Sequence, residues 1–178
     1  MIQIDYLPIV LTGIGIMVAI VYYTLTLRNA NKTRQAQLFM SLYETMRSQE
    51  FREQFNEIIR QEWSDFDDFW DKYGQDNNPE AWTKWQSVAM FYHGMGILVK
   101  KGLVEPSMLD ELVSPNVYMA WVTMSPVLKG FIERSSTGAL RRRSRDEGRL
   151  SKMYSAWSGF EYLYDTLKKK EAEQLKGL

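Results

Sequence analysis

The sequence predicts an all-α protein in which a single N-terminal transmembrane helix continues into a cytoplasmic helical bundle. An uncharged apolar run over residues 9–27 has the length of a membrane span, and downstream apolar residues recur at intervals of three and four. No alternating or hairpin pattern typical of β-strands occurs. The 178 residues leave room for one anchor, residues 1–30, and one domain, residues 31–178.

Composition narrows the chemistry available to the chain. Lysine and arginine number 22, as do aspartate and glutamate, so overall charge favours neither nucleic acid nor a membrane surface. The absence of cysteine excludes disulfides, thiol nucleophiles and Cys-ligated zinc.

The apolar run is bounded by Asp5 and Arg28. A buried helix of a soluble protein is the first alternative, but such runs commonly stop after about 10–14 residues. A signal peptide is the second. It is disfavoured because no Lys or Arg precedes the run and no small-residue cleavage pattern follows. We therefore expect an uncleaved anchor.

Flanking charge predicts the orientation of this anchor. Three basic residues, Arg28, Lys32 and Arg34, follow the span, whereas the only charged side chain before it is that of Asp5. The positive-inside rule then places the N-terminus outside the cell membrane and the C-terminal domain in the cytoplasm. The same three basic residues are candidate contacts for lipid headgroups or for a partner.

Small residues within the span suggest a helix–helix contact. Gly15 and Ala19 have the small-x-x-x-small spacing that permits close approach of two helices. Glycine is common in membrane helices, so the plain alternative is that these residues have no such role. If they do, the predicted partner is a second copy of the chain.

The anchor helix is expected to run on into the domain, because no Pro or Gly follows Gly15 before Gly74. Asn29 and Asn31 mark the expected bend. Ser48 is placed to cap a second helix, and a short third segment should end at Gly74.

The most informative helix begins at Asn78 and Pro79, a cap residue followed by proline at the first helical position. It should end near Gly102, after two lysines. Its surface is apolar nearly all round, which predicts the centre of a bundle. Gly94 and Gly96 are the candidate points of close helix packing.

Three prolines occur in the next segment. Pro106 and Pro115 are each expected to open a short helix, and Pro126 to start or kink another. The polar, Arg-rich residues 135–148 are expected to form a loop or an exposed helix end. Apolar residues from Leu150 to Leu167 then predict a final helix.

No catalytic, cofactor or metal-ligating set is predicted. The acidic residues between 62 and 80 do not follow the spacing of a calcium loop. His93 is the only histidine, and one imidazole does not make a metal site. A core histidine held by a neighbour is favoured. The alternative is an enzyme that uses His93 with Tyr92 and an acid from another helix.

A basic cluster remains, consisting of Arg141, Arg142, Arg143 and Arg145, with Arg149 beyond it. A solvated loop is the plain interpretation. Contact with anionic lipid or a protein partner is the functional one, because each basic residue near a membrane surface adds about 1 kcal/mol. Nucleic acid is the least favoured partner.

Four segments carry a resemblance to a known family: YYTLTLRNANKTRQAQL, RSQEFREQF, GMGILVKKGLV and WSGFEYLYDTLKK. They resemble a prokaryotic family of small single-pass membrane proteins of unknown function. The resemblance implies the fold and the location, and it transfers no catalytic residue. The sequence therefore favours a membrane-anchored interaction or scaffold module over an enzyme, with the bilayer and a protein partner or a second copy as partners, and no cofactor.

Overall fold

The computed structural model describes residues 6–136 and 157–176, and the elements in these ranges are six α-helices without a strand. The predicted all-α class is confirmed. The chain divides into two compact units, Met1–Leu38 and Phe39–Leu178. The helices are α1 (Leu7–Arg47), α2 (Gln49–Ile59), α3 (Phe66–Tyr73), α4 (Pro79–Lys100), α5 (Pro106–Ser136) and α6 (Ser158–Lys176).

The first unit contains the apolar part of α1, a helix that by length and composition is a candidate membrane span. Its large apolar side chains between Leu7 and Leu27 are 46–72% exposed. The hydroxyls of Thr12, Thr24 and Thr26 donate to backbone carbonyls one turn earlier, at 2.8–2.9 Å. No hydroxyl of these threonines is therefore left without a partner if the helix lies in lipid. The helix continues without interruption through the expected bend at the two asparagines.

Local sequence signals start the helices of the second unit. The Ser48 hydroxyl accepts from the Phe51 N–H at 3.2 Å, and the Asn78 side chain accepts from the Ala81 N–H at 3.1 Å. Both caps satisfy N–H groups that a helix leaves free in its first turn. Helix α4 ends at Lys100, and Gly102 follows with a positive φ of 67°, as expected of glycine beyond a helix end.

Helix α4 is the core of the second unit. It packs against α2, α3, α5 and, most extensively, α6. Fully buried side chains include Trp85, Val88, Tyr92 and Met95. The Tyr92 ring stacks on Phe160 of α6 with 5.1 Å between centroids. The predicted position of this helix at the centre of the bundle agrees with these contacts.

Helix α5 differs from the expectation of several short helices. It is one helix of 31 residues that passes through Pro115 and Pro126. Both prolines are exposed, and at eleven residues apart they lie about three turns along the same side. The proline rings and the lost N–H groups are therefore accommodated at the solvent. On the opposite side, a row of buried apolar side chains packs the helix into the core: Leu109, Val113, Val117, Ala120 and Met124.

Candidate functional site

Gly96 of α4 and Gly159 of α6 lie against each other where the two helices cross. A Cβ added to Gly96 would lie 2.5 Å from the carbonyl carbon and 3.2 Å from the Cα of Gly159, and closer still to the carbonyl oxygen. A Cβ added to Gly159 would likewise meet the backbone carbonyl of His93. Both positions are buried. Only glycine at both positions permits this separation of the two backbones.

His93 lies at the same crossing and is only partly buried. Its Nδ1 accepts a hydrogen bond from the Gly159 N–H at 3.1 Å, across 66 residues of sequence. Gly159 is the second residue of α6, and its N–H is one of those that a helix leaves without an internal partner. The imidazole therefore caps the N-terminus of α6.

This hydrogen bond defines the protonation state of the imidazole. Nδ1 must be unprotonated to accept, so the neutral ring carries its proton on Nε2. Burial lowers the pKa of His93 below 6.5. The positive end of the α6 dipole also disfavours a charged imidazole at this position. The arrangement suits a structural cap that stays neutral near pH 7.

The described residues give His93 no hydrogen bond or ion pair with a carboxylate, and they hold no group of His, Asp and Glu side chains that could bind a metal ion. His93 is thus a partly buried histidine whose Nδ1 is satisfied by the backbone of α6. To act as a general base through Nδ1, the imidazole would first have to give up the hydrogen bond from the Gly159 N–H.

The other residues selected from the sequence fall in different places. Arg28, Lys32 and Arg34 are exposed on α1, as are Gly15 and Ala19. At Gly94 an added Cβ would meet nothing within 4 Å, so no other helix comes close there. Of the two glycines selected from the sequence for close packing, it is Gly96 that lies against a neighbouring helix. Residues 141–149, with the arginine cluster, lie outside the described residues.

Sequence reasoning missed a cavity of about 390 Å³, which we call the Tyr92 cavity. It opens between the end of α1, α2, α4 and α5. Its apolar lining includes Met46, Phe51, Phe55, Leu112 and Met119, and its polar lining includes Arg47, Arg52, Asn56 and Asn116. Tyr92 of α4 is fully buried and also lines it. The sequence signal was weak, because these residues come from four separate helices.

Comparison with known proteins identifies a family. A family described as "Domain of unknown function (DUF4760)" matches residues 9–167. No curated protein and no solved structure matches the chain.

Proposed function

We propose that this chain, which belongs to the DUF4760 family, is a single-pass membrane protein whose helical unit is a non-catalytic interaction module. The observation that carries the proposal is the exposure of the apolar helix: none of its most apolar stretch is buried. Burying one large apolar side chain is worth about 1.5–3 kcal/mol. A helix with this many exposed side chains is therefore unfavourable in water and favourable in a bilayer.

The proposed topology places residues 1–30 as the anchor, with the span at 9–27, and residues 31–178 in the cytoplasm. Arg28, Lys32 and Arg34 support it, since all three are exposed on the helix just after the span. Exposed basic side chains at this position are able to reach anionic headgroups.

An interaction role is supported by the exposed side of α5. Large apolar side chains remain in solvent there at helical spacing, with Leu112 50%, Met119 48% and Val122 70% exposed. The exposed Pro115 and Pro126 lie on the same side. A contiguous apolar stripe of this kind is typical of a protein contact surface. The partner of this stripe is a second protein or another copy of the chain.

The topology can be tested directly because the chain contains no cysteine. Gln3→Cys and Gln75→Cys each introduce a single thiol, one on either side of the proposed span. In intact cells, a membrane-impermeant maleimide should label the Gln3→Cys variant only. The Gln75→Cys variant should react after permeabilisation. Labelling of Gln75→Cys in intact cells would show that the orientation is the opposite of the one proposed. Recovery of the protein in the soluble fraction would refute the anchor.

The contact surface can be tested with a photo-crosslinking residue. Placed at Val122, it should give a discrete crosslinked species in membranes. Placed at Asp165, which is exposed on α6 and is not part of the stripe, it serves as the control. Equal crosslinking at both positions would indicate that the stripe is not the contact surface.

A further inference from the structure

We propose that the Tyr92 cavity binds a small amphiphilic anion, a molecule with one carboxylate or phosphate head and a single apolar chain. The inference stands apart from the proposed membrane anchor, since every residue that lines the cavity belongs to the second unit. The volume of about 390 Å³ lies within the range of roughly 300–1,000 Å³ found for small-molecule sites.

The apolar part of the ligand is matched by the inner wall of the cavity. Met46 of α1, Phe51 and Phe55 of α2, and Tyr92 of α4 are all buried and line it. Phe51 and Phe55 pack on the Tyr92 ring with centroids 6.2 and 6.4 Å away, so the three rings form one aromatic surface. An alkyl chain placed against it would bury apolar area on both sides.

The Tyr92 hydroxyl is the second observation. It is buried and has no hydrogen-bond partner among the described residues. An unsatisfied buried hydroxyl is unfavourable, and native proteins rarely keep one without a reason. A ligand oxygen that accepts a hydrogen bond from this hydroxyl would satisfy it, and in a ligand with one polar head that oxygen belongs to the head.

Charge at the mouth of the cavity selects an anion. Arg47 and Arg52 both line the cavity and are exposed, and neither forms an ion pair with a carboxylate in the part of the chain that the structure describes. The Arg47 guanidinium lies 5.5 Å from the centre of the Tyr43 ring, which restrains its position. Asn56 and Asn116 add amide donors to the same lining. Guanidinium groups and amides together favour a carboxylate or phosphate.

An acidic helical peptide is the competing class of ligand, but the cavity is small for it. A helix with its side chains is about 10–12 Å across. Such a helix is too wide to enter a cavity of this volume and would lie across its mouth. A single chain with one anionic head uses both the inner wall and the arginines.

The test uses the full chain in phosphatidylcholine nanodiscs, titrated calorimetrically with octanoate and with octanol. Empty nanodiscs provide the correction for partition into lipid. Octanoate should bind with one site per chain. Arg52→Gln should weaken octanoate binding about tenfold or more and leave octanol binding unchanged, because it removes a charge-assisted hydrogen bond.

Arg60→Gln is the matched control. Arg60 is exposed at the C-terminal end of the same helix and does not line the cavity, so its variant should bind octanoate like the parent. Tyr92→Phe should weaken octanoate binding about fivefold without lowering the melting temperature of the ligand-free protein. Unchanged melting separates loss of binding from loss of folding.

A final pair of titrations shows whether the ligand reaches the cavity out of the aqueous phase or out of the bilayer. If the physiological source is the membrane, lysophosphatidate included in the nanodiscs should abolish octanoate binding by occupying the site. If the source is water, octanoate binding should persist in those nanodiscs. Either result supports the proposal. Three results would overturn it. The first is equal octanoate affinity in Arg52→Gln and Arg60→Gln, and the second is absence of octanoate binding. The third is binding of an acidic peptide that octanoate does not displace.

Discussion

Replacement of Gly96 by alanine should separate α4 from α6 and destabilise the second unit. The new Cβ would lie 2.5 Å from the Gly159 carbonyl carbon, whereas carbon atoms in contact lie about 3.5–4.0 Å apart. The obstacle is backbone, so no side-chain rotation relieves it. The two helices, which share the most extensive contact of any helix pair in the second unit, must move apart.

The magnitude follows from three terms. Overpacking a well-packed core costs about 1–3 kcal/mol. Loss of the hydrogen bond between Gly159 and His93, which depends on the same crossing, adds about 1 kcal/mol. Alanine gains about 1 kcal/mol over glycine in a helix interior. The net destabilisation is roughly 1–3 kcal/mol, or a fall in melting temperature of about 2–12 °C for a chain of this size.

Gly94→Ala is the matched control, because it makes the same change two residues earlier on the same helix. An added Cβ there meets nothing within 4 Å. Only the gain in helix propensity remains, so this variant should melt at a temperature equal to or slightly above that of the parent. Thermal unfolding of the full chain in detergent, followed by circular dichroism at 222 nm, measures both. If both variants melt alike, the glycine crossing is not a constraint and the reasoning is refuted.

Three further predictions concern His93, the buried aromatic core and the cap of α2. The pKa of His93 is lowered in the folded protein. The contribution of His93 to the free energy of unfolding should therefore be fully present above its unfolded pKa of about 6.5, and it should be lost as the pH falls through the folded pKa. His93→Asn keeps an acceptor near the Nδ1 position and should flatten this dependence in urea unfolding between about pH 5 and 8, and an unchanged slope would contradict it. Trp85→Ala should cost about 3–5 kcal/mol, since Trp85 is fully buried, and Phe91→Ala clearly less, since Phe91 is half-buried; equal losses in urea unfolding would count against this account of the core. Ser48→Ala removes the α2 cap and should cost about 1 kcal/mol by the same measurement, and no loss would show that the cap is dispensable.

Helix starts and ends were predictable because the physics that sets them is local. Ser48 and Asn78 each satisfy an N–H three residues ahead, and Gly102 adopts a positive φ two residues beyond the last turn of its helix. Such signals lie within a single turn and need no knowledge of the rest of the fold.

The segment after Pro106 shows where local rules were insufficient. Proline predicted helix boundaries at Pro115 and Pro126, yet α5 continues through both. The continuous buried row on the opposite side outweighs the loss of two backbone hydrogen bonds at the exposed side. Which side of a helix will be buried is decided by its neighbours.

The sequence by itself determined the helical class, the apolar helix that is a candidate span, the caps, and the central position of α4. It did not distinguish Gly94 from Gly96, and it did not find the partner of His93 or the Tyr92 cavity. Helical periodicity defines a face, but the element that covers the face is chosen by how helices cross. The tertiary structure placed Gly159 against both Gly96 and His93, because two glycines at one crossing let the backbones approach closely enough for an imidazole to cap α6.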